Sequence, residues 1–136
     1  MRTFLYLHGA HLESARSFYS GVLGLRETYF SAEKATIGYQ VGTLQITIAR
    51  HAEASHIDGW ARQLGWSGGS TSAPSWGIEL ASREFRRAVA AARDVGTDSL
   101  KAKPQWVGYW SFPVRDPMGN TVEISTPDRD AWPPSS

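Results

Sequence analysis

The chain contains no cysteine, which excludes disulfides, cysteine-ligated zinc and thiol nucleophiles. It also has no surplus of charge: 14 Lys and Arg stand against 13 Asp and Glu, a formal net charge of +1. Proteins that track a phosphate backbone carry a basic stripe, so nucleic acid is not an expected partner. No basic run occurs, so an anionic membrane surface is not expected either. Long apolar runs are missing as well. The start, MRTFLYLHGA, has one positive charge and an apolar run of only Phe4 to Leu7. That is too short for a signal peptide and reads as a strand, and no run approaches the length of a membrane-spanning helix. A soluble, cytoplasmic protein is the expectation. P-loops, nucleophile elbows and dinucleotide fingerprints are absent too, and Gly68-Gly69 reads as a loop rather than a phosphate cradle.

What is present is enough for one packed domain: 136 residues, 41% of them hydrophobic. Six tryptophans stand out. Trp60, Trp66, Trp106 and Trp110 lie in or beside Gly-rich and Ser-rich stretches. Large aromatics in loops line a pocket or a partner surface; the alternative is that they cover sheet ends or a dimer interface.

The order of elements repeats. Thr3 to His8 reads as a strand and Glu13 to Val22 as a helix, with Ala15, Phe18, Tyr19 and Val22 at helical spacing and Gly24 as its stop. Thr36 to Val41 and Thr43 to Ala49 read as a hairpin around Gly42. A long connection, residues 51 to 74, has room for a short helix at Ile57 to Leu64. Trp76 to Leu80 is then a strand, and Arg83 to Val95 a helix with Phe85, Val89 and Ala92 on one face and Gly96 at its end. Its arginines, Arg83, Arg86, Arg87 and Arg93, form the wet side. Val107 to Val114 and Thr121 to Ser125 form a second hairpin around Asp116-Pro117-Met118-Gly119-Asn120, whose Pro and Gly suit a tight turn. GTLQI, from Gly42, resembles NTVEI, from Asn120. A duplicated βαβββ unit accounts for the order. The expected organisation is a single domain, 1–136: module one about 1–50, the connection 51–74, module two 75–126, and a C-terminal arm 127–136.

Strand alternation then sorts the side chains. Within each strand Phe4 goes with Tyr6 and His8, Gln45 with Thr43 and Thr47, Ser75 with Gly77 and Glu79, and Glu123 with Thr121 and Ser125. The other face is apolar: Leu5, Leu7, Leu44, Ile46, Ile48, Trp76, Ile78, Leu80, Val122 and Ile124. Glu123 therefore points to the polar face, where three roles are open to it: facing water, binding a metal, or lining a ligand pocket. With His8, Gln45 and Glu79 it could do acid–base chemistry, orient a ligand between aromatic walls, or form a satisfied polar core. His11 reads as a capping residue; His51 and His56 read as solvated.

LESARSFYSGVLGL, Leu12 to Leu25, and RDPMGNTVEI, Arg115 to Ile124, resemble the first helix and the final hairpin of the vicinal oxygen chelate superfamily, the glyoxalase/bleomycin-resistance/dioxygenase group. The resemblance implies an α+β fold: two βαβββ modules forming a curved, partly open mixed-sheet barrel around a cavity, with helices outside. This fold hosts many activities. The four metal-ligand positions of metal-using members fall, by the resemblance, on Phe4, Gln45, Ser75 (or Trp76) and Glu123. Only Glu123 is a strong donor, and divalent transition ions need three or four His or carboxylate ligands. The expectation is no metal and no cofactor. The reading is a metal-independent binding protein for an aromatic or polycyclic natural product, of the bleomycin-resistance kind, which sequesters an antibiotic. Its expected ligand-binding residues are Phe4, Tyr6, His8, Gln45, Trp60, Trp66, Ser75, Glu79, Trp106, Trp110 and Glu123. The alternative is a lyase, isomerase or dioxygenase using Glu123 with His8 or Glu79. A homodimer is the expected assembly.

Overall fold

The computed structural model of the chain describes residues 1–134; residues 135 and 136, the end of the expected C-terminal arm, lie outside it. The chain forms two compact units, Met1–Ile57 and Asp58 onward.

The first unit runs β1 (Thr3–Gly9), α1 (Leu12–Arg16), β2 (Arg26–Ser31), β3 (Thr36–Val41) and β4 (Leu44–Arg50). From α1 the chain continues as a wider π-helical turn, Ser17–Val22, in which the Leu23 amide donates to the Phe18 carbonyl five residues back at 2.9 Å. The four strands form one mixed sheet in the order β1-β4-β3-β2, with β1 parallel to β4 and the hairpins antiparallel. The second unit repeats this. It runs β5 (Ser75–Glu79), α2 (Ser82–Asp94), β6 (Gln105–Trp106), β7 (Trp110–Arg115) and β8 (Thr121–Thr126). The sheet order is β5-β8-β7-β6, with β5 parallel to β8. The duplicated βαβββ order and the α+β class read from the sequence are both borne out, and each sheet is open at its edges.

The apolar faces are where alternation put them. Leu5 sits opposite Ile46 and Leu7 opposite Ile48, and both isoleucines are fully buried. Ala15, Phe18, Tyr19 and Val22 cover them from the helical segment. In the second unit Phe85, Ala88, Val89 and Ala92, spaced for one helix face, are buried. That face of α2 packs on β8, whose Val122 and Ile124 are fully buried.

The third antiparallel strand of each βαβββ unit, which the sequence pattern did not locate, is placed, and three expectations are corrected. β2 is an exposed edge strand broken by a bulge between Glu27 and Tyr29, so its alternation is lost. β6 is only two residues long. No helix forms at Ile57 to Leu64; that segment is irregular, bends at Gly59 and makes an isolated bridge from Ala61 to Ser70. His11 occupies the N-cap position of α1, but its side chain makes no capping bond. Arg86 is not on the wet side of α2: it is half-buried and donates to the Ala131 carbonyl at 3.4 Å.

Two polar devices fix the frame. In the first unit Arg16 donates twice to Glu27, from Nε and Nη2, each at 2.9 Å. Ser20 adds a donor at 2.8 Å and lies 2.7 Å from the Tyr39 hydroxyl. This bidentate fork ties the helical segment to edge strand β2, and the guanidinium also covers the Phe30 ring at 4.2 Å. The hydrogen bond from Arg16, and then that from Ser20, hold the Glu27 carboxyl below its ordinary pKa. In the second unit the β7–β8 turn is held by Asp116, a buried side chain. Its Oδ1 accepts the amides of Met118 and Asn120 at 2.9 and 2.8 Å, and Oδ2 accepts the Asn120 side-chain amide at 2.9 Å. Gly119 supplies the left-handed backbone, φ 87°, that the turn requires.

Among the described residues no helix is long and apolar enough to cross a membrane. Replacing Asp116 with Ala strips partners from buried amides, which cost about 1–3 kcal/mol when left unpaired. Chemical denaturation of Asp116→Ala is expected to show a loss of about 2–3 kcal/mol; an unchanged midpoint would mean that the turn is held by other means.

Candidate functional site

The polar face of the second unit is built by β8, β5 and β7. Thr121, Glu123 and Ser125 alternate with the buried Val122 and Ile124. Ser75 lies opposite Thr121, and Gly77 lies opposite Glu123. Gly77 leaves the carboxylate uncovered on that side: a Cβ there would sit 3.5 Å from Glu123 Oε1, in ordinary contact. The next strand brings Pro113 opposite Glu123 and Ser111 opposite Ser125, so Ser111 shares the Glu123 face.

The carboxylate of Glu123 gathers donors. Ser111 Oγ donates to Oε2 at 2.6 Å. The Tyr109 hydroxyl lies 3.1 and 3.0 Å from the two oxygens and donates to them. Trp66 Nε1 in turn donates to Ser111 Oγ at 3.0 Å. The chain of donors runs from indole to hydroxyl to carboxylate, and Ser111 is fully buried at its middle. Burial first, and then the hydrogen bond and charge of Glu123, push the Tyr109 pKa up to about 12. Tyr109 therefore keeps its proton at neutral pH and serves as a donor.

The connection before β5 folds onto the same face. The Ala61 amide donates to Thr121 Oγ1 at 3.0 Å, and Gln63 Nε2 donates to Ser75 Oγ at 2.9 Å. Gln63, Tyr109 and Ser111 are the residues that reading by sequence missed. Counting back in step from the Asp116–Asn120 turn would have found Ser111. Tyr109 lies beyond β7, and Gln63 in an irregular segment; neither carries a periodic signal.

The expected site residues do not form one group. Trp66, Ser75 and Glu123 belong to this network. Glu79 is exposed at the end of β5, opposite Ser125. Trp60 lies under the Arg115 guanidinium, 5.5 Å from its ring centre. Trp110 adjoins Ser111 on β7 and so projects to the opposite face of the sheet, paired with Trp106. In the first unit, Phe4 and Tyr6 stack at 6.4 Å on the exposed face of β1, and Arg2 lies 5.1 Å over Phe4. Gln45 sits opposite Phe4 and accepts from Arg2 at 3.1 Å. The His8 ring is 6.4 Å from that of His51, edge to face. His51 and His56 are exposed.

The donors do not suit the metal that the resemblance implies. In the first unit Phe4 offers no donor atom, and the Gln45 oxygen takes a bond from Arg2. In the second, Ser75 accepts from Gln63 and the Glu123 oxygens accept from Tyr109 and Ser111. Across Glu123 stands a glycine. Among the described residues no three His, Cys, Asp or Glu cluster as ligands.

The fold itself has many counterparts of known structure. A glyoxalase/dioxygenase from Nostoc punctiforme superposes with a TM-score of 0.72 at 18% identity, covering 93% of this chain and 90% of that one. A glyoxalase/bleomycin resistance protein from Albidiferax ferrireducens T118 gives 0.66 at 18% identity, covering 91% and 96%. The fosfomycin resistance protein FosX from Mesorhizobium loti gives 0.65 at 15% identity, covering 95% and 92%. The chain therefore shares the fold of these glyoxalase, bleomycin-resistance and fosfomycin-resistance structures, as the helix and hairpin motifs led one to expect. No protein-family model matches the chain, and no curated protein matches it.

Absorbance titration of tyrosinate, taken as the difference between the native protein and Tyr109→Phe, should show a component centred near pH 12. Glu123→Gln should lower it while leaving it above 10, because burial, the larger cause, persists. Folding stability follows the same sign. The contribution of a raised pKa is complete below the unfolded value of 10 and is lost between 10 and about 12. A Tyr109 component at or below pH 10 would contradict the Glu123 contact.

Proposed function

We propose that this protein binds an aromatic or polycyclic small molecule without a metal and, in doing so, sequesters it, as an antibiotic-binding protein does. The observation that carries this reading is the Trp66–Ser111–Glu123–Tyr109 chain. It holds a carboxylate on a sheet face beside a half-buried indole. Such a site offers an apolar wall for stacking and a fixed acceptor for a ligand hydroxyl or amine. Tyr109, with its pKa near 12, is a poor general acid or base at neutral pH, which favours orientation over proton transfer. In this reading the chain is a single domain acting as a cytoplasmic homodimer. The exposed Phe4 and Tyr6 on edge strand β1 are the apolar surface that supports dimerisation.

A second reading is an enzyme using Glu123 with His8 or Glu79. What favours it is the company the fold keeps, which includes a lactoylglutathione lyase from Agrobacterium tumefaciens at TM-score 0.61 and 19% identity.

A panel of polycyclic aromatic natural products, followed by tryptophan fluorescence and by mass spectrometry of the recovered ligand, separates the two. Saturable quenching with unchanged ligand is expected, weakened about tenfold or more, roughly 1.4 kcal/mol, by Trp66→Phe and by Glu123→Gln. Conversion of a panel member to product would replace the binding reading with the enzymatic one.

A further inference from the structure

The helix-side face of the second sheet carries a different feature. Lys103, Trp106, Trp110, Arg129, Trp132 and Pro133 line an open groove of about 510 Å³, within the range of small-molecule sites. Three indoles form its walls. Trp106 and Trp110 meet edge to face, their centres 5.5 Å apart and their planes at 73°. Trp132 is held edge-on to the buried Phe85 at 6.5 Å. Trp110 Nε1 donates to the Arg129 carbonyl at 2.9 Å, which fixes the C-terminal segment to the strand.

The charge in this groove is of one sign. The Arg129 guanidinium lies 4.3 Å over the Trp106 ring and 5.7 Å from that of Trp110. Stacking on an indole orients the guanidinium plane and leaves its N–H edges free. Among the described residues no carboxylate pairs with Arg129 or with Lys103, and none lines the groove. The preceding acid is committed elsewhere: Asp128 accepts from Ser82 at 2.6 Å and from the Asp130 amide at 3.0 Å. A cationic ligand would be repelled here, whereas a flat anion would find stacking surface and a preoriented fork together.

We propose that this groove binds a planar aromatic molecule bearing a carboxylate, with the ring against Trp106 and Trp110 and the carboxylate bidentate on Arg129. Lys103 adds a second, longer-range attraction. The site is on the opposite sheet face from Glu123 and does not depend on the function proposed for that carboxylate.

The test uses the full chain and two matched probes, 2-naphthoate and the neutral 2-naphthalenemethanol, titrated by calorimetry and tryptophan fluorescence. Naphthoate should bind saturably, and about tenfold or more tighter than the alcohol. Arg129→Gln should abolish that preference, Arg129→Lys should restore part of it, and Trp106→Ala should weaken both probes. Glu123→Gln should leave naphthoate binding unchanged. Near-ultraviolet circular dichroism of each variant confirms that it folds, and Arg129→Lys covers the case in which Arg129→Gln does not. Equal affinity for the two probes, or no binding of naphthoate, would overturn the proposal. So would naphthoate binding that survives Arg129→Gln but is lost in Glu123→Gln, which would place the anion on the other face.

Discussion

A carboxylate on a half-covered strand must find donors, and much of the second unit is arranged around that need. Leaving such a group unpaired away from water costs several times what one hydrogen bond returns. Glu123 meets the requirement with Ser111 from the adjacent strand and Tyr109 from the turn before it. Ser111 is held in turn by Trp66 from the preceding connection. That connection carries Gln63 and Ala61 to Ser75 and Thr121 on the same face. A segment with no helix and one bridge is thereby positioned by side-chain hydrogen bonds to the sheet.

The two units share topology and register but diverge at the matched positions. Phe4 faces Gln45 in the first, and Gly77 faces Glu123 in the second. An aromatic and an amide in one place correspond to an open space and a carboxylate in the other. The first unit thus presents a stacked, exposed aromatic face, and the second a hydrogen-bonded polar one. The two units share a backbone plan and differ in the side chains it carries. The same logic separates the tryptophans. Period-two alternation sends Trp110 away from its neighbour Ser111, so aromatics close in sequence serve opposite faces of one sheet.

Most of the fold was legible because it rests on strong periodic signals. The apolar faces of β1, β4, β5 and β8 follow strict alternation, and α2 shows its buried stripe plainly. The Asp116–Asn120 turn declares itself through Pro117, Gly119 and the capping side chain of Asp116. What stayed hidden has equally physical causes. β2 is exposed and bulged, β6 is too short to show a period, and the segment around Gln63 is ordered by tertiary hydrogen bonds rather than local propensity. The candidate site was legible in its anchor, Glu123, and in Trp66 and Ser75. Its other members, Tyr109 and Ser111, became apparent only with strand register.

The central claim is that Glu123 acts as a hydrogen-bond acceptor in a metal-independent site. Elemental analysis of the purified protein, before and after dialysis against Mn, Fe, Co, Ni and Zn, tests it most directly. The account predicts substoichiometric metal throughout, with the same content in Glu123→Ala. Near-stoichiometric metal in the native protein that disappears in Glu123→Ala would contradict it.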